Sequence, residues 1–161
     1  MIDAYLVGDA EVVRKLESLG PRMREELKAG IGRAVLKLQR EVRSGKLSGQ
    51  VLKVRTGTLR RSIDQAVTDS GSQVVGMVST NVKYARAHEY GFKGVVTVKQ
   101  HMRLQKQAFG RPISPREVSV SQHTAKMNLP ARSFLRSALA DMEASGEIRA
   151  EFEAAVSRAL T

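Results

Sequence analysis

The chain has 161 residues, a net charge of +11 at neutral pH and a hydrophobic fraction of 42%, of which aromatic residues are only 4%, with no Trp and no Cys. The lack of Cys excludes disulfides, thiolate metal sites and thiol nucleophiles, and no run of apolar residues is long enough to cross a membrane, so no membrane partner is expected. The length suits a single domain, 1–161, whose core of small side chains is thin enough that contacts between subunits would complement it.

The opening MIDAYLVGDAEVV has no basic segment followed by an apolar one, so no secretory signal is expected. Asp9 caps a first helix over 10–19, with Val12, Val13, Leu16 and Leu19 on one side. Gly20-Pro21 ends it and starts a second helix over 21–43. There Met23, Leu27, Ala34, Leu38 and Val42 recur at helical spacing, and Ile31 and Val35 widen the stripe. Gly30 and Gly32 imply a close approach of another backbone, or a bend. Residues 44–57 are glycine-rich and basic and read as a mobile loop. In TGTLRRSI, 56–63, Thr58 caps a single helical turn. Residues 65–80 read as a hairpin that turns at Asp69-Ser70-Gly71, with Gly76 marking a bulge.

YARAHEYG, 84–91, is a short helix ended by Gly91 in a left-handed position. NLPARSFLRSALADM, 128–142, begins a helix near Pro130 and carries Phe134, Leu135, Ala138, Leu139 and Met142 on its apolar face. After Gly146 a last, acidic helix has Ile148, Phe152, Val156 and Leu160 at four-residue steps. These elements make an α+β protein with N-terminal helices, a small antiparallel sheet, a long protruding basic β-hairpin inserted over 92–126, and C-terminal helices.

The hairpin expectation rests on an echo. VTVKQHMR, 96–103, returns as VSVSQHTA, 118–125. Val96 and Val98, then Val118 and Val120, alternate with polar residues as half-exposed strands do. Gly110, Pro112 and Pro115 punctuate the segment between them, so a turn is expected near Pro112, with His101 and His123 roughly opposite each other. Two facing histidines could take a metal ion. Only Glu117 is acidic nearby, however, and a two-residue site is weak, so no metal and no cofactor is expected. No nucleophile, phosphate loop or paired-carboxylate pattern appears either, so no enzyme is expected. A hairpin with few large apolar side chains is marginal alone and gains order by pairing with another chain. Val96, Val98, Lys99, His101, Arg103, Val118, Val120 and His123 are therefore interface candidates.

The positive charge is concentrated in residues 21–62, with 12 Lys/Arg against 3 acids, and in residues 92–126, with 7 against 1. Such a field favours nucleic acid or an acidic protein surface. Lys46, Lys53, Arg55, Arg60, Arg61, Lys106, Arg111 and Arg116 are the candidate contacts. The alternative to a structural role is thus a basic nucleic-acid-binding protein, although no aromatic residues interleave with the basic loop as a stacking platform requires.

TGTLRRSI, YARAHEYG and NLPARSFLRSAL, in that order with a variable basic insert, resemble the tail-completion and head–tail joining proteins of tailed phages, the virion morphogenesis family. The similarity spans residues 20–142, with Ser133 where relatives often have a second Pro. It implies a small α+β structural protein of the virion without catalytic role. Such a protein assembles in the host cytoplasm as a ring of its own copies, with a hexamer expected. The ring sits in the neck and touches connector, tail-terminator or tail-tube proteins, while DNA passes through its lumen. Within the motifs, Tyr84, His88, Glu89 and Tyr90, together with Arg132 and Arg136, are further interface candidates. Arg132 and Arg136 share a helix face and call for acidic partners, for which the 141–153 segment of a neighbouring subunit is suited.

Overall fold

A computed structural model describes residues 2–7, 14, 20–71 and 73–160. The expected helix over 10–19 and its Asp9 cap lie outside the described residues, Arg14 excepted. The fold is α+β, as expected. Its contacts divide into two units, one of Met1–Tyr90 with Ala131–Thr161 and the other of Gly91–Pro130. The inserted unit is thus slightly longer than the 92–126 expected.

In the first unit, β1 (Ile2–Val7), β2 (Ile63–Asp69) and β3 (Val74–Thr80) form an antiparallel sheet in the order β1-β3-β2. The α-helix α1 (Pro21–Arg40) continues into a π-helical stretch, Glu41–Lys46. Short helices α2 (Thr58–Arg61) and α3 (Ala85–Tyr90) flank the hairpin β2–β3. The chain closes with α4 (Leu135–Ala144) and α5 (Glu147–Leu160). The stripe Met23, Leu27, Ile31, Ala34, Val35 and Leu38 is buried on α1 as its spacing predicts. Ile31, Val35 and Leu38 pack with Ile63, Val78, Phe134, Leu135 and Met142 in one core. Each large side chain buried this way contributes about 1.5–3 kcal/mol.

Several local expectations change. Residues 44–57 pack instead of standing free, since Leu47 and Leu52 are buried in the main core. Gly57, not Thr58, holds the position before α2, at φ 71, a backbone conformation that costs glycine nothing. Gly76 marks no bulge, because the β2–β3 register runs through it with Val67 opposite. It is small because α1 crosses there: an added Cβ would lie 2.3 Å from Val35 Cγ2 and 2.8 Å from Ile31 Cγ2. Gly30 does mark a close approach, with a Cβ 3.0 Å from Ala155 Cβ and 3.3 Å from the Glu151 carbonyl of α5, whereas Gly32 faces open space. Pro130 begins no helix. The strand before it runs to Leu129, and α4 starts at Leu135, where the carboxylate described below receives its first N–H groups.

The second unit is one hairpin in two halves. β4 (Phe92–Val98) pairs antiparallel with β7 (His123–Leu129), and β5 (His101–Ala108) with β6 (Arg111–Val120). The turn lies at Phe109-Gly110, with φ of 50 and 76. This displaces the expected centre at Pro112, which sits inside β6 opposite Gln107, beside a register shift between Gln105 and Gln107. Two consecutive left-handed residues make the tight turn that matches strand twist. Pro112, two positions later, needs no ladder N–H at an irregularity.

Candidate assembly site

The motif that ends α3 and the motif that begins α4 meet on one side chain. Glu89 is fully buried. Its Oε1 accepts from Ser133 Oγ at 2.6 Å and from the Arg136 backbone N and Nε, each at 3.1 Å. Its Oε2 accepts from the backbone N of Phe134 at 2.8 Å and of Leu135 at 3.0 Å. A helix start leaves such N–H groups without intrahelical partners and carries partial positive charge, so a carboxylate there is doubly favoured. Arg136 also donates to the Glu89 carbonyl at 3.1 Å and lies over the Tyr90 ring, 4.6 Å from its centroid. The Arg132 N–H donates to the His88 carbonyl at 2.7 Å. Residues 88–90 and 132–136 are therefore tied together on either side of the chain segment that forms the hairpin. Burial works to raise the Glu89 pKa, but the Ser133 hydroxyl and the N–H groups of Leu135, Arg136 and Phe134 outweigh it and hold the carboxyl below its usual range.

This arrangement revises two expectations. Glu89 is consumed inside its own chain and offers no side-chain contact to a neighbour. Arg136 has its acid in Glu89 and needs none from a second copy. The acids expected to serve a neighbour are largely engaged as well. Asp141 pairs with Lys46, Glu151 with Arg33 at 2.9 Å and Lys37 at 2.7 Å, and Glu153 with Arg149 at 2.8 Å. Lys46, so paired, is also withdrawn from the candidate nucleic-acid contacts.

Beside the clamp, the 47–60 segment, Tyr84, His88 and Arg132 line an open cleft of about 730 Å³. Lys53, Arg55, Arg60 and Arg132 bring four cations to it. Arg61 lies instead in a second cleft with Arg43. Tyr84 and His88 meet edge to face at 5.9 Å. His88 Nδ1 is buried without a hydrogen-bond partner. Burial first, then the charge of Arg132, lowers the His88 pKa, so its ring is held neutral.

The echo resolves into a joint. Val98 faces His123 and His101 faces Val120, with Lys99-Gln100 and Ser121-Gln122 between the two paired halves. The two copies of Val-polar-Gln-His therefore stand across from each other, related by the antiparallel pairing, where both strands pass from one half to the other. Each histidine turns back on its own strand, His101 Nδ1 to the Lys99 carbonyl and His123 Nδ1 to the Ser121 carbonyl, both at 2.9 Å. The histidines are not opposite each other, because the turn falls at 109–110 and moves the register by three residues. Since side chains alternate, an odd offset also assigns them to opposite faces. Among the described residues no group of three or more His, Cys, Asp or Glu is gathered to hold a metal ion. Among them, too, no helix is long and apolar enough to cross a membrane.

Val96, Val98, Val118 and Val120 all lie in paired strands and are half-buried, while Lys99, Arg103, Lys106, Arg111 and Arg116 are exposed. Among the apolar side chains that sequence reasoning passed over, Met102 at 61% exposure, Leu104 at 52% and Phe109 fully are open, as is Val95 at 62% on β4. The first two alternate on one face of β5, and the HMRLQ pattern carried that signal. Phe109 holds φ 50, a conformation other than glycine seldom adopts. No protein-family model matches this chain, and no curated protein or solved structure does.

Proposed function

We propose that the chain is a structural subunit of a tailed-phage virion, a tail-completion or head–tail joining protein that forms a neck ring and links connector to tail. The observation that carries this reading is the hairpin's uncovered apolar set. Met102, Leu104 and Phe109 are exposed in the isolated chain, and exposed apolar groups clustered on one element mark a surface that another chain covers. The motif order supports the same reading. Its second and third motifs meet at Glu89, which ties together the residues flanking the hairpin. Firmly held flanking residues and a surface that pairs with a neighbour are what a ring subunit needs.

Light scattering of the purified chain, with negative-stain electron microscopy, tests the reading. Rings are expected, and a variant lacking 99–122 is expected to remain monomeric. His101→Gln with His123→Gln should leave assembly intact, since each ring contacts only its own strand. Monomers alone at high concentration, or assembly unaffected by the deletion, would sink the proposal.

A further inference from the structure

Each half of the hairpin carries a pair of cations on one face. Paired residues share a face and successive residues alternate. In the first half, Lys93 and Lys126 lie on one face with the exposed Val95 and with Thr97, Thr124 and Asn128, while Phe92, Val96, Val98, Met127 and Leu129 lie on the other. In the second half, Arg103 and Arg116 share a face with His101, Val118 and Val120, while Met102 and Leu104 share the opposite one with Glu117, the sole acid of the unit, and with Lys106 and the Ala108–Arg111 pair. Counting the alternation through the two-residue joint keeps Lys93, Lys99 and Arg103 in one set.

The charge on this face is not neutralised within the chain. Some cations of the first unit are paired, as in Arg24–Asp69, Arg33–Glu151, Lys46–Asp141, Arg136–Glu89 and Arg158–Glu26. Among the described residues no ion pair involves Lys93, Lys99, Arg103, Arg116 or Lys126. All five are exposed. A fully extended run of the ten residues from Lys93 to Arg103, through the joint between β4 and β5, spans about 33 Å at about 3.3 Å per residue, close to the ~34 Å of one B-DNA turn.

We infer that this cationic face binds the phosphate backbone of duplex nucleic acid without reading its sequence. Five cations set along one helical turn suit a regular line of phosphates, and the hydroxyl and amide groups of Thr97, Thr124 and Asn128 are phosphate donors of the ordinary kind. A two-stranded ribbon is narrow enough for the major groove. A protein partner would be drawn instead to the exposed Met102 and Leu104. The inference rests on the charge pattern and is independent of ring formation.

The test is fluorescence anisotropy of the full-length protein on a random-sequence duplex of about 24 base pairs, from 50 to 200 mM salt, at concentrations where it is monomeric. Each cation that meets a phosphate steepens the plot of log K against log salt by about 0.9. Arg103→Gln with Arg116→Gln should therefore flatten the slope by about two, and Lys93→Gln with Lys126→Gln by the same amount. Met102→Gln with Leu104→Gln should leave it unchanged. All these side chains are exposed, and circular dichroism checks that each variant is folded. An unchanged slope in both cation variants would overturn the inference. So would competition by polyglutamate equal to that of duplex at matched charge, which identifies an acidic protein surface. Binding to phosphatidylserine vesicles without binding to duplex would overturn it as well, in favour of a membrane surface.

Discussion

Replacing Glu89 by Gln changes one oxygen to an amide group and almost nothing in volume. The carboxylate accepts five hydrogen bonds, from Ser133 Oγ, from the backbone N of Phe134, Leu135 and Arg136, and from Arg136 Nε. Whichever way the amide is turned, its nitrogen faces donors. Either Phe134 and Leu135, whose N–H groups are buried, or Ser133 and Arg136 lose their acceptor. A buried donor left unpaired costs about 1–3 kcal/mol, and hydrogen bonds to an ionised group are worth about 1.5–3. The Arg136 side chain is more than half exposed, so loss of its ion pair adds little beyond these unpaired donors. A loss of about 3–5 kcal/mol is therefore expected, a large share of the 5–15 kcal/mol that holds typical domains of roughly this size together. Urea unfolding followed by circular dichroism reads it directly. With slopes of about 1–3 kcal/mol per M, the midpoint should fall by about 1 M or more. The pH dependence adds a second reading. The carboxyl of folded Glu89 lies below its ordinary value of 4.5. Its contribution is thus fully present above that value and is lost as pH falls through the folded pKa. The gap between wild type and Glu89→Gln should narrow in acid. A midpoint shift under ~0.3 M at neutral pH would refute the reasoning, because the motif junction would then be held by packing alone.

Gly76→Ala should destabilise the first unit by about 1–3 kcal/mol, the usual cost of overpacking a closed core. The new methyl overlaps Val35 and Ile31 of α1, and an unchanged melting temperature would mean that the helix yields freely. The Asp69 carboxyl should titrate at about 2, held down first by the Arg24 hydrogen bond and then by the Gly71 N–H. Carbon-detected NMR should show it moving toward the ordinary 3.8 in Arg24→Gln. Because this pKa is depressed on folding, its stabilising effect is present above 3.8 and disappears as pH falls toward 2. A midpoint that ignores Arg24→Gln would remove the guanidinium as the cause.

Much of the architecture was readable along the chain. Helix α1, the β2–β3 hairpin, the α3 turn ending at Gly91 (φ 78) and the acidic last helix all stand where periodicity and turn residues put them. The α+β class follows from the same signals. Strand β1 was missed, because a six-residue strand near one end of the chain has no hairpin partner next to it in sequence and pairs only with β3, some seventy residues on. The roles of Glu89 and Gly76 were not readable at all. YARAHEYG and PARSFLRS each look like a helix end, and neither states that the glutamate of one supplies the acceptor for the other.

The division follows from the range of the forces. Alternation, helical spacing and turn chemistry act between near neighbours, so the sequence by itself determined that residues 96–120 form strands, that the chain mixes helices with antiparallel pairs, and that positive charge collects in the hairpin. Register and partnership are settled across long separations, where a shift of one residue exchanges every face. Only the tertiary structure decided that the hairpin turns at Phe109-Gly110, that the two histidines of the echo face valines across a joint instead of each other, and that Lys93 shares a face with Lys126 and Arg103 with Arg116. It also decided which charges remain free. Acids distant in sequence pair with Arg24, Arg33, Lys46 and Arg158 of the first unit, while none reaches Lys93, Arg103 or Arg116 among the described residues.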